Sequence, residues 1–281
     1  MTATTLKSIA GGFLALALSL PVGAALADGM AKGSLKDAPA AEVKRDLVIT
    51  GNFAGTTDYV FRGISQSAEK PTVQAGVDLA YKMFYAGLWA SGIDFGDDLG
   101  RDVAHVEIDY YFGVKPVVGR FNFDLGVIYY TYPRARDSAP FTLFRELDYV
   151  ELKAGVSTEA WKDGTLGVVV FYSPNYTNDT GSVVTIEGSV AQVLPKIRDI
   201  VPTFSALIGY QAGDDARFNA LVGNGDDNYL YWNAGVSLGF GDRFSIDLRY
   251  WDTNISNANN FCSGATFQCD ERFVATAKVT Y

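Results

Sequence analysis

The chain has 281 residues and a formal net charge of −9, with 48% hydrophobic and 14% aromatic residues. That length suits one barrel or two small soluble domains, and the acidic balance speaks against nucleic acid or an anionic lipid surface as partner. Beyond the N-terminal segment no apolar run approaches the ~20 residues of a spanning helix. The chain is then either soluble or crosses a membrane with strands.

Residues 1–27 read as a secretory signal. Lys7 supplies the positive charge, Ile9 to Leu20 form a short apolar run, and Ala25-Leu26-Ala27 offers a small-x-small cleavage site. Residues 28–45 are small, polar and charged, and are expected to be a flexible periplasmic lead-in. From residue 46 to 281 the pattern changes to a period of two. Leu47, Ile49, Gly51 and Phe53 share one face, with Thr50, Asn52 and Asp58 on the other, and the strand is expected to run on toward Phe61. Val73 to Tyr81 alternates with Gln74, Gly76 and Asp78. Phe84 to Phe95 is apolar on both faces, so its orientation stays open. Val106, Ile108, Tyr110 and Phe112 oppose His105, Glu107 and Asp109, and Phe121 to Tyr129 opposes Asn122 and Asp124.

The second half repeats the pattern. Val150, Leu152 and Ala154 face away from Glu151 and Lys153. Leu166 to Tyr172 follows. Val184 and Ile186 oppose Thr185 and Glu187. Phe204 to Tyr210, Leu230 to Phe240, Phe244 to Tyr250 and Phe273 to Tyr281 complete the set, with Asp247 and Arg249 on the polar face. This makes twelve strands of an all-β fold, a transmembrane antiparallel up-and-down β-barrel. Connection lengths agree. Lys82-Met83 and Gly241-Asp242 are tight, whereas Gly63 to Lys70, Pro133 to Leu147, Ala212 to Asn228 and Asp252 to Glu271 are long and polar. Short connections on the periplasmic face and long ones outside are the pattern of outer-membrane barrels.

The C-terminal stretch Phe273-Val274-Ala275-Thr276-Ala277-Lys278-Val279-Thr280-Tyr281 ends mid-alternation on an aromatic residue. It resembles the assembly signal of bacterial outer-membrane proteins. Outer-membrane lipid, lipopolysaccharide, the barrel assembly machinery and small solutes are the partners this implies. Asp58-Tyr59-Val60-Phe61-Arg62-Gly63-Ile64-Ser65-Gln66 and Tyr85-Ala86-Gly87-Leu88-Trp89-Ala90-Ser91 resemble segments of the TorF-type porin family of proteobacteria. The resemblance implies an outer-membrane barrel and a pore, and names no substrate and no catalytic residue.

The polar face supplies the pore-lining candidates: Asp58, Arg62, Asp78, His105, Glu107, Asp109, Asp124, Glu151, Lys153, Glu187, Asp247 and Arg249. Asp58 and Arg62, read as four residues apart on one strand, lie too far apart to pair and each needs a partner from a neighbouring strand. Arg134, Arg136 and Arg145 cluster in one outer loop, where they either fold inward as a constriction, bind lipopolysaccharide phosphates or stay solvated. His105 is the single histidine and has no recognisable nucleophile beside it, so no enzyme activity is expected, and neither a cofactor nor a metal. Cys262 and Cys269 suit a disulfide in an oxidising compartment. The expected function is passive, weakly selective diffusion of small solutes or ions. The alternatives are a plugged barrel acting through its outer loops and a barrel-embedded hydrolase.

Overall fold

The computed structural model describes residues 47–98, 101–135, 146–222, 227–256, 262 and 266–281. The segments read as signal and lead-in, with Arg136 and Arg145, lie outside them. Twelve long strands follow in chain order: β1 Leu47–Thr56, β2 Thr72–Tyr81, β3 Phe84–Gly92, β4 Val106–Val114, β5 Phe121–Thr131, β6 Tyr149–Trp161, β7 Gly164–Ser173, β8 Val183–Val193, β9 Ile200–Gly213, β10 Asn228–Phe240, β11 Phe244–Thr253 and β12 Arg272–Thr280. Each pairs antiparallel with its sequence neighbours, and β12 pairs with β1 from Asn52↔Thr280 to Thr56↔Thr276. Two further bonds, Gly51 N–H to the Tyr281 carbonyl at 3.0 Å and Tyr281 N–H to the Gly51 carbonyl at 2.8 Å, extend the seam. The sheet has no free edge. A closed antiparallel barrel satisfies every ladder group internally, which is what a hydrocarbon environment demands of a β-structure.

The alternation of the sequence becomes the alternation of the wall. Phe53, Val73, Leu88, Phe112, Leu125, Val168, Ile208 and Leu248 point outward and are exposed, while Asn52, Asp78, Glu107, Asp109, Thr185, Glu187, Asn233 and Ser237 point inward and are buried. This inverts a soluble protein, with apolar side chains outside and polar ones inside. Exposed aromatics gather near the two ends: Tyr81, Phe84, Phe121, Trp161 and Phe244 at the end of the short turns, and Tyr129, Tyr172, Tyr210 and Phe273 at the end of the long loops. The orientation left open for β3 is resolved. Tyr85, Gly87, Trp89 and Ser91 face inward, and Phe84 and Leu88 outward. Val274, which breaks the alternation of β12 as a sequence, is an inward residue with 8% exposure.

The strands connect by turns at 82–83, 115–120, 162–163, 194–199 and 241–243 on one end and by loops at 57–71, 93–105, 132–148, 174–182, 214–227 and 254–271 on the other. The 214–227 loop carries a short helix, Ala216–Val222. The Cys262 and Cys269 sulfurs are bonded within the last loop.

Candidate functional site: the lumen and its closing hairpin

The first strand does not continue through Phe61. β1 ends at Thr56, and the chain turns inward to make a two-residue-armed hairpin, Val60–Phe61 against Ile64–Ser65. Arg62 and Gly63 form its tip, both with positive φ (49° and 84°). At Gly63 a Cβ would overlap Thr253 Cγ2 of β11 and the Tyr231 Cβ of β10. Only glycine provides both this conformation and this close approach. The neck is tied down by Asp58, which accepts hydrogen bonds from Ser65 Oγ at 2.7 Å and Ser67 Oγ at 2.8 Å and pairs with Arg272 Nη1 of β12 at 3.3 Å. Ser65 N–H donates to the Gln268 carbonyl at 2.9 Å, so the disulfide loop holds the hairpin from above.

From that neck the hairpin reaches the wall from β3 to β7 and again at β10. Tyr59 packs edge-on against Trp89 of β3 (ring centroids 5.3 Å apart) and donates to Glu107 of β4 at 2.9 Å. Phe61 meets Tyr130 of β5 edge-on at 5.8 Å. The Arg62 guanidinium makes a two-pronged bond to Glu151 of β6, Nη1 to Oε1 and Nη2 to Oε2, each 2.8 Å. Its Cζ lies 4.7 Å from the Phe61 ring, 5.1 Å from Phe171 of β7 and 5.9 Å from Tyr176. Tyr229 of β10 donates to the Arg62 carbonyl at 3.2 Å. In a twelve-stranded barrel, wall side chains alone do not fill the bore as they do in an eight-stranded one; here the hairpin takes up the difference.

The lumen therefore has two halves. Toward the long loops, Trp89, Tyr130, Phe171 and Tyr231 pack around the hairpin and are at most 2% exposed. Toward the short turns several inward positions are small or polar and half-buried, among them Gly113, Gly126, Gly155, Gly167, Ser189, Gly235 and Ser245. Charged residues there are paired. Asp124 accepts from Lys153 Nζ at 2.7 Å and Tyr85 Oη at 2.7 Å, with Lys115 Nζ 4.0 Å away. Arg249 bonds Asp247 at 3.0 Å, Asn233 at 2.7 Å and Ser205 Oγ at 2.8 Å. Asp78 accepts from Tyr111 there, and nearer the hairpin Glu187 accepts from Tyr231.

Three expectations change. Asp58 and Arg62 are loop residues, not members of one strand, and Arg62 finds its partner on β6 across the barrel, because the inward turn after Thr56 carries it into the lumen. His105 sits in the bend before β4 and is exposed; Ile93 N–H donates to its carbonyl at 2.9 Å. Arg134, at φ 66°, is exposed in its outer loop and does not constrict the lumen. Among the described residues it is the 57–71 loop that enters the lumen, and Arg136 and Arg145 lie outside them. Tyr59, Phe61, Tyr130, Phe171, Tyr176 and Tyr231 were absent from the sequence-derived candidates. The available signal was four apolar residues, Tyr59, Val60, Phe61 and Ile64, inside a segment that would otherwise hang in water.

A protein-family model described as a bacterial protein of unknown function (Gcw_chp) matches residues 40–281. The chain belongs to the Gcw_chp family. No curated protein matches the sequence. Among solved structures, the NanC porin is similar with a TM-score of 0.50 at 9% identity, and the KdgM porin with a TM-score of 0.50 at 6% identity. Each match covers 83% of this Gcw_chp chain and 98% of the porin. At such identities the likeness speaks for the fold, a closed twelve-stranded barrel of the porin type.

Proposed function

We propose that the protein is an outer-membrane channel for passive, weakly selective diffusion of small solutes or ions, with the 59–65 hairpin setting its passage. The single observation that carries this reading is that what fills the lumen between the wall strands is a loop, the 57–71 connection. The hairpin hangs on a 57–71 connection and can leave without disturbing a ladder bond of the barrel. The porin-type fold, the apolar outer band and the resemblance to TorF-type porins support the same reading, as does the reading of residues 1–27 as a secretory signal. A second reading, a permanently plugged barrel working through its outer loops, is favoured by the buried Arg62–Glu151 pair.

The wall chemistry suggests a preference for cations. Its inward charges are mostly acidic: Asp78, Glu107, Asp109, Asp124, Glu151, Glu187 and Asp247 against Lys153, Arg249, Arg272 and Lys278. A narrow bore strengthens such a bias by excluding high-dielectric water. The test is the reversal potential of purified protein in planar bilayers under a salt gradient. Cation preference that falls in a Glu107→Gln, Asp109→Asn variant is the expected result. Anion preference contradicts this lining, and absence of channels in folded protein favours the plugged barrel.

A further inference from the structure

The surroundings of Arg62 have the composition of a ligand site. A planar guanidinium is gripped edge-on by one carboxylate, with both Glu151 oxygens 2.8 Å from its nitrogens. Aromatic rings surround it, two of them, Phe171 and Tyr176, outside the hairpin. The carboxylate is itself oriented, since Tyr130 Oη donates to Glu151 Oε2 at 3.1 Å. Glu187, held by Tyr231, adds a second acid on the same wall. The nearest wall cation along β6, Lys153, is committed to Asp124 at 2.7 Å. A forked carboxylate contact with rings around it selects a guanidinium over an ammonium, which is a compact point charge with no planar face to stack.

We propose that Glu151, Phe171 and Tyr176 form a recognition site for guanidinium-bearing solutes, occupied in the closed barrel by the chain's own Arg62. The hairpin is then a tethered competitor. A solute that takes the fork from Arg62 removes the hairpin's innermost anchor and enters the lumen as the hairpin leaves it. The binding part stands on the geometry alone; the transport consequence rests on the channel reading above.

Methylguanidinium and methylammonium serve as probes, since they share a charge and a methyl group and differ in the fork. In detergent, calorimetric titration of Arg62→Ala is expected to show methylguanidinium binding at least about tenfold tighter than methylammonium, a gap of about 1.4 kcal/mol. Adding Glu151→Gln is expected to abolish that preference. Equal affinity for the two cations, or a preference indifferent to Glu151, overturns the proposal. Folding is checked by heat-modifiable migration on gels. If Arg62→Ala does not fold, wild-type protein is used instead. Methylguanidinium but not methylammonium then speeds protease cleavage of the 57–71 loop, and equal effects refute the site. Binding with these preferences but no conductance in bilayers supports this inference and overturns the channel reading. Conductance without the preference does the reverse.

Discussion

Substituting Gly63 by alanine tests the hairpin without touching a charge. Two costs arise in the inserted state. A left-handed backbone at an L-residue costs about 1–2 kcal/mol. The new Cβ also overlaps Thr253 Cγ2 and the Tyr231 Cβ, and overpacking of that kind costs about 1–3 kcal/mol. Neither cost applies once the hairpin leaves the lumen and the tip relaxes. The sum, about 2–5 kcal/mol, shifts the balance between inserted and withdrawn hairpin by about 30-fold to several thousand-fold. Single-channel recording is the assay, and the expected result is a large rise in open probability. Gly241→Ala is the control. Gly241 has φ +60° in a short turn with nothing within 4 Å of its would-be Cβ, so it carries the backbone cost without the wall overlap and without the hairpin. Unchanged open probability in Gly63→Ala, or an equal rise in Gly241→Ala, refutes the reasoning.

Leu248 is 53% exposed on the outer wall, while Ser237 is inward and pairs across the ladder with Asp247. Leu248→Arg is expected to cost about 2–4 kcal/mol in reversible unfolding from lipid, and Ser237→Arg less; equal costs would mean that Leu248 does not face lipid. Reducing the Cys262–Cys269 bond removes about 2–3 kcal/mol of chain-entropy restraint for so short a loop. Because Gln268 holds Ser65 and the Cys269 carbonyl accepts from Thr253 Oγ1 at 2.6 Å, reduction is expected to raise open probability while heat-resistant migration stays intact. Loss of the folded gel form, or no change in gating, counts against this. At the loop base, the hydrogen bond from Lys70, 2.6 Å away, holds the Asp94 carboxyl below the usual carboxylate range against the opposing effect of burial. A depressed folded pKa stabilises above the unfolded value of ~3.9 and is lost as pH falls through the folded value. Protease cleavage of the 57–71 loop is therefore expected to stay constant from neutral pH down to about pH 4 and to rise modestly below it. Asp94→Asn should remove the part of that rise due to this pair, and an unaltered acid response shows that the pair contributes nothing.

The barrel was legible because its physics repeats. A wall between lipid and a polar lumen forces a period of two on every strand, and twelve weak signals at regular spacing add up. β3 resisted this reading for a specific reason. Its inward positions, Tyr85, Gly87 and Trp89, are as apolar as its outward Phe84 and Leu88, because Trp89 faces the apolar ring of Tyr59 and not water. The hairpin was invisible to periodicity for a related reason. Tyr59 to Ile64 continue the look of β1, and nothing in a period of two says that the chain turns inward at Thr57. The Arg62–Glu151 pair joins residues 89 apart in sequence, and only closure of the barrel brings them together. Three cations in one loop, Arg134, Arg136 and Arg145, are conspicuous in a sequence, whereas the single Arg62 with a partner 89 residues away is not.

Removal of residues 59–65, with the chain rejoined by a short Gly-Ser link, tests the central claim most directly. Single-channel conductance of this variant is compared with that of wild type in the same bilayers. The hairpin account predicts a wild type that is closed for most of the record and a variant with sustained, larger conductance at unchanged heat-resistant folding. Identical conductance in the two, with both folded, would contradict it.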